Sequence, residues 1–185
     1  MKRTIYSLTG ILILLLFVYC ASDEQVGSIS DYSDCKTFSE KKNTMGHTQN
    51  EDCMEYELNS DGILYLKHIN AGFNCCPGEL FADIEVVGDT IFITEKQARN
   101  GCKCLCLYDI DYRVENIEAQ TYFIKVDELL VDDNEKQLAF TVDLKNKPTG
   151  SFCVYRSNYP WDIPAGISVQ LDNHTACKSF TKKSA

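Results

Sequence analysis

The chain has 185 residues, 24% of them charged and 11% aromatic, with a formal charge of −9 at neutral pH. Acidity on that scale disfavours nucleic acid and anionic lipid headgroups as partners, because binding to either is driven by basic patches and the counterions they release. The length suits one domain with tails, and the aromatic content, without long blocks of one charge sign, excludes a disordered chain.

Residues 1–20 combine Lys2 and Arg3, an apolar run from Ile11 to Val18, and Cys20. The run is about half the roughly 20 apolar residues that a bilayer demands, so the segment reads as a signal peptide and not as a membrane span. Its removal takes away Lys2 and Arg3 and no acid, which moves the expected charge of the mature chain from −9 to −11. Phe17-Val18-Tyr19-Cys20 resembles a bacterial lipobox, whose cysteine is acylated and becomes the first residue, with Tyr19 standing where a small residue is usual. Ser22-Asp23-Glu24 is similar to the acidic surface-export signal of Bacteroidetes lipoproteins. Cleavage after Ser22, with Cys20 and Ser22 as the small residues, is the competing reading; lipidation of Cys20 is the expectation. The chain is therefore expected in the cell envelope as an outer-membrane lipoprotein, with periplasm or secretion as alternatives, and it meets the membrane only through its N-terminal anchor.

Residues 21–50 are polar and lack periodicity, and read as a flexible spacer in which Cys35 is a staple to something else. From there to residue 158 the pattern is β. Strands are predicted over Cys53–Asn59, Ile63–Phe73, Leu80–Val87, Thr90–Glu95, Cys102–Val114, Thr121–Val126, Gln137–Leu144 and Ser151–Tyr155, separated by turn residues. Gly88-Asp89 marks a two-residue hairpin. From Cys102 to Val114 the alternation puts Cys102, Cys104, Cys106, Tyr108, Ile110, Tyr112 and Val114 on one face. Seven to eight short strands with almost no helical period predict an all-β domain, a sandwich of two antiparallel sheets. Residues 159–185 are left as a C-terminal loop and tail.

The segment Val114 to Val126 resembles the junction between the fifth and sixth strands of immunoglobulin-like and fibronectin type III domains, with Tyr122 as the corner tyrosine that bonds back to the backbone. That resemblance implies that the second and fifth strands are antiparallel neighbours, which brings Cys75 and Cys76 to Cys102 and Cys104 at one rim. Residues two apart on a strand cannot bridge each other, so bonds there must run across strands, with Pro77 bending the chain. Three outcomes compete for Cys75, Cys76, Cys102, Cys104 and Cys106. Disulfides suit an exported chain. Buried free thiols would act as small hydrophobes. A zinc or copper site could use the same sulfurs, with His68 or Glu95 as further ligands, although the spacing matches no paired Cys-x-x-Cys pattern. Cys53, Cys153 and Cys177 complete the disulfide candidates, with Cys177 able to staple the tail to Cys153.

His68 and Asn70 alternate with Leu64 and Leu66 and are read as inward-facing groups that need partners, His68 more as a satisfied core histidine than as a ligand. Asn173-His174-Thr175 and Asp89-Thr90-Ile91 are three-residue glycosylation-like matches of the kind that chance supplies often. Phe73-Asn74-Cys75-Cys76-Pro77, followed by Cys102-Lys103-Cys104-Leu105-Cys106-Leu107-Tyr108-Asp109, resembles a group of small exported Bacteroidetes proteins without assigned activity. The likeness covers roughly residues 60–128. It implies an envelope lipoprotein with a β-sandwich and carries no catalytic residues. The expected function is thus a non-enzymatic binding module without cofactor, holding an envelope protein or glycan through loops such as Lys96–Gly101 and Tyr159–Pro164. Metal capture or thiol redox chemistry at the rim cysteines is the alternative.

Overall fold

A computed structural model describes residues 26–36, 47–99, 101–131 and 134–157. Cys20, Cys177, the stretch Tyr159–Pro164 and the glycosylation-like match at Asn173 lie outside the described residues. Nine strands run in chain order as β1 (Gly27–Tyr32), β2 (Glu51–Leu58), β3 (Leu64–Asn74), β4 (Leu80–Val87), β5 (Thr90–Gln97), β6 (Leu105–Val114), β7 (Thr121–Asp127), β8 (Ala139–Asp143) and β9 (Thr149–Tyr155). They form a five-stranded sheet, β1-β6-β3-β2-β9, facing a four-stranded sheet, β4-β5-β7-β8. The sandwich expected from the alternation is there. Between the sheets lie Leu64, Leu66, Ile84, Ile91, Ile93, Ile110, Ile124, Val126, Leu138 and Val142, all buried in one cluster.

β3 and β6 are antiparallel neighbours, as the corner resemblance implies. Tyr122 is buried, and its hydroxyl accepts the backbone N–H of Glu118 at 3.3 Å, which closes the corner. The β4–β5 hairpin turns on Gly88 and Asp89, with Gly88 at φ 62°, a conformation open to glycine at little cost.

Three elements depart from the sequence expectation. Gly27–Tyr32, inside the stretch read as spacer, is β1, antiparallel to β6 at the edge of the larger sheet. The sandwich is not wholly antiparallel, because β5 and β7 run parallel. The Glu115–Gln120 corner delivers β7 beside the Gly88-Asp89 turn, where the Asp89 carbonyl accepts the Phe123 N–H at 2.8 Å, so both strands start from the same end. Cys102 and Cys104 precede β6 instead of lying in it, because the Asn74 side chain takes their backbone groups in place of a strand partner. Its Nδ2 donates to the carbonyls of Cys102 (2.6 Å) and Cys104 (3.1 Å), and its Oδ1 accepts the N–H groups of Cys76 and Cys102.

β3 also changes phase. Leu64, Leu66 and His68 face the interior, then a bulge at Asn70, with φ 69°, hands that face to Ala71 and Phe73. An extra residue on one strand of an antiparallel pair has this effect. Asn70 consequently sits buried toward the opposite face, against the Thr48–Glu51 backbone that leads into β2 and the Lys36 side chain.

Candidate functional site: a buried ionic network and a clamped rim

At one end of the interior the apolar filling gives way to charge. Asp52 is in phase with Met54 and Tyr56 on β2, His68 with Leu64 and Leu66 on β3, and Glu95 with Ile91 and Ile93 on β5. Glu128 continues the inward series Tyr122, Ile124 and Val126 one residue past β7, and Arg156 follows inward Val154 just past β9. Strand alternation therefore drives five ionisable side chains into the space between the sheets, and all five are buried.

They pair with one another, and all but two of their polar atoms have a partner. His68 Nδ1 lies 2.6 Å from Glu95 Oε1 and Nε2 lies 2.7 Å from Asp52 Oδ1, so both ring nitrogens donate and the ring is an imidazolium. Arg156 donates from Nε to Asp52 Oδ2 at 2.8 Å and from Nη2 to Glu128 Oε2 at 2.6 Å, and its Nη1 reaches the Lys136 carbonyl. The Tyr112 hydroxyl donates to Glu95 Oε1. Burial works against a charge on His68, yet the Glu95 and Asp52 carboxylates outweigh it and lift its pKa well above 6.5. Burial also opposes ionised Asp52, but His68 and Arg156 prevail and hold the carboxyl below 3.8. Glu128 goes the other way: burial, then the charge of Asp52, pushes its pKa well above 4.5. Burial and the Glu95 carboxylate raise Tyr112 well above 10.0, so it remains a donor. Two cations thus face three carboxyls, and the raised pKa of Glu128 makes it the member that takes up a proton most readily. Glu95 Oε2 and Glu128 Oε1 have no hydrogen-bond partner among the described residues.

Asp52, His68 and Glu128 bring possible metal-ligand atoms within 4.8 Å of one another. Both His68 nitrogens are engaged and Arg156 already neutralises Asp52 and Glu128, so a metal would have to replace the His68–Asp52 contact and add charge to a set that holds two cations. Sequence reasoning found His68 and named Glu95 only as a metal ligand. It missed Asp52, Tyr112, Glu128 and Arg156, although each charged member falls in phase with an apolar strand face.

The cysteines pair across the larger sheet. Cys75 bonds Cys104, Cys76 bonds Cys102, Cys35 bonds Cys106, and Cys53 bonds Cys153. Two expectations change as a result. Cys153 is taken by Cys53, its direct partner in the β2–β9 register, so it does not staple Cys177. With Cys75, Cys76, Cys102, Cys104 and Cys106 all in disulfides, the rim offers no thiolates to zinc or copper, and His68 lies with the carboxylates instead of with these sulfurs. The rim loops are tied further by backbone bonds from Ala98 N to Glu79 O, Arg99 N to Pro77 O and Gly101 N to Cys76 O. Arg99 and Lys103 stand exposed on this frame.

The outer surfaces are of two kinds. A shallow depression of about 430 Å3 on the larger sheet is lined by Glu55, Glu57, Tyr65, Lys67, Asp111 and Ser151, among others. The smaller sheet shows Phe81, Phe92 and Phe123, each about 40% exposed, with Phe92 between Glu85 and Lys125 in the register. Comparison with protein-family models, with curated proteins and with solved structures gave no match. Fold and site together define a disulfide-stapled two-sheet β module, with bridges of the kind formed in an oxidising, extracytoplasmic setting.

Proposed function

We propose that the protein is a cell-envelope lipoprotein of the kind its cysteine pattern resembles, anchored through Cys20, whose sandwich works as a non-enzymatic module binding an envelope protein or glycan. The observation that carries this reading is the clamped rim. Two adjacent disulfides and the four hydrogen bonds of Asn74 fix the loops that present Arg99 and Lys103. Loops ordered before binding lose little entropy on engaging a partner, which is how rigid scaffolds turn exposed loops into binding sites. Two basic side chains on an acidic molecule select an anionic group on that partner.

The test is binding of the purified mature protein to envelope fractions and to a panel of envelope glycans, alongside the double variant Arg99→Glu, Lys103→Glu. Affinity should fall roughly tenfold or more, the effect of losing about 1.4 kcal/mol, while the thermal midpoint holds. If the wild-type protein retains no envelope component, or the variant binds equally well, the binding reading is abandoned. Fatty-acid labelling that disappears in Cys20→Ser tests the anchor separately. The alternative, metal capture or thiol redox at Cys75, Cys76, Cys102, Cys104 and Cys106, requires their bridges to open first. Thiol counting and metal analysis of protein purified without reductant separate the two readings.

A further inference from the structure

Where the chain leaves β1 it continues along the edge of β6 and is held there firmly. Ser33 N–H and Lys36 N–H donate to the carbonyls of Asp109 (2.8 Å) and Leu107 (2.9 Å), and Cys35 is bonded to Cys106. With the preceding residue fixed covalently, the Lys36 side chain is directed onto the β3 bulge. Its Nζ lies 2.7 Å from Asn70 Oδ1 and 2.6 Å from Asp109 Oδ1.

Asn70 is fully buried and in the left-handed region at φ 69°, a conformation that asparagine adopts more readily than most non-glycine residues. Its carboxamide cannot rotate freely. Nδ2 donates to the carbonyls of Thr48 (2.9 Å) and Glu51 (2.5 Å), while the backbone N–H donates to Asp109 Oδ1 at 3.2 Å. Asp109 is steadied in turn, since its N–H donates to Ser33 Oγ at 2.9 Å. The Lys36 and Asp109 side chains are only 14% and 13% exposed, so little water competes at the site. An amine, a carboxamide and a carboxylate thus converge on one immobilised point. This is the set of groups needed to exchange one amide for another.

We propose that Lys36 and Asn70 become joined by an intramolecular isopeptide bond, with Asp109 as the proton-transfer group. Asp109 takes a proton from the Lys36 ammonium, and the freed Nζ lone pair attacks Asn70 Cγ. The carboxyl then returns that proton to Nδ2, the Cγ–Nδ2 bond breaks to release ammonia, and Asp109 passes the second Nζ proton to that ammonia, so that a neutral Nζ–Cγ amide and an ammonium ion remain. In sum, one lysine ammonium and one asparagine carboxamide give one secondary amide and one ammonium ion, with Asp109 regenerated and no oxidant or cofactor consumed. The carbonyls of Thr48 and Glu51, which hold the Nδ2 hydrogens beforehand, receive the departing ammonium. Holding reactants at contact distance replaces an improbable bimolecular encounter, and a positioned carboxylate supplies the proton transfers such a step requires. The product would link the chain after β1 to β3 beside the Cys35–Cys106 bridge, and unlike that bridge it would survive reduction.

The test is the intact mass of the purified full chain, reduced and denatured, with N-terminal processing established independently. A deficit of one ammonia is expected, together with a proteolytic fragment in which the peptides carrying residues 36 and 70 remain joined. Lys36→Arg, which preserves the ion pair to Asp109, and Asp109→Asn should each restore the full mass; native disulfide pairing confirms that the variants fold. A wild-type chain of full mass overturns the proposal and leaves the three residues as an ordinary ion pair over a bulge. A deficit that persists in Lys36→Arg also overturns it, since a succinimide at Asn70-Ala71 loses the same mass without the lysine.

Discussion

The two sheets of the sandwich are held by different chemistry. Among the described residues the four disulfides join strands of the five-stranded sheet or the segments that directly adjoin them, and the strands of the four-stranded sheet carry no cysteine. Between the sheets the fixed links are non-covalent: the apolar cluster and, at one end, the ionic network. Within that network the cations His68 and Arg156 come from the larger sheet and its following residue, while Glu95 and Glu128 come from the smaller. Covalent bonds therefore secure neighbours in one layer, and buried charge fixes how the second layer docks on it. One sheet should respond to reductant and the docking should respond to charge.

Cutting the charged link should have the largest effect. In Arg156→Leu or His68→Leu a buried carboxylate loses its cation, a change that typically costs about 3 to 5 kcal/mol. Chemical denaturation measures the loss, and amide exchange should accelerate first in β5, β7 and β8. Replacing Cys53 and Cys153 by serine should cost about 2 to 4 kcal/mol, with faster exchange centred on β2 and β9. If both variants loosen all strands alike, the division between the layers is wrong.

The smallest effect sharpens the comparison by pH. A carboxyl that is protonated more readily when folded than when unfolded loses stability as pH climbs from 4.5 toward its raised folded value, and Glu128 is such a group. His68 acts in the same direction: its contribution is complete below 6.5 and is lost as pH rises through its raised value. Asp52 is opposite, its contribution being lost as pH falls through a value below 3.8. Glu128→Gln removes the first of these alone. Its thermal midpoint should overtake that of the wild type as pH increases from 4.5, the gap widening by at most about 1.4 kcal/mol per pH unit, the limit for one proton. Parallel curves for the two proteins would show that Glu128 does not hold the proton.

Much of the architecture was legible because strand alternation is a local signal. Leu80–Val87, Gly88-Asp89 and the start of the next strand at Thr90 could be placed from alternation and turn residues, and the Tyr122 corner from its resemblance to immunoglobulin-like domains. β1 was not legible: Gly27-Ser28-Ile29-Ser30-Asp31-Tyr32 lies at a sheet edge with Ile29 only half buried, so it presents no apolar face to read. Nor was the parallel β5–β7 pairing, since sheet order depends on where the corner delivers the chain. The ionic network was half visible. His68 interrupts an apolar face in mid-strand and attracts notice, but Glu128 stands in an acidic turn beside Asp127, and Arg156 follows the last strand. Each looks like a solvated boundary residue until its phase with Val126 or Val154 is counted. Asn74 gave no signal at all, because its four hydrogen bonds are to backbone that only the rim geometry brings near.

The connectivity of the bridges bears on how the molecule is made. A chain threaded outward from its N-terminus would present its sulfurs one after another, yet only the Cys76–Cys102 bond joins neighbours in that succession. Cys53 must wait for a partner 100 positions later, and Cys35 for one 71 positions later, and the two spans overlap in sequence. Oxidation in order of emergence would give wrong bonds, such as Cys35 to Cys53. Maturation in an oxidising compartment therefore depends on thiol–disulfide exchange as well as on an oxidant.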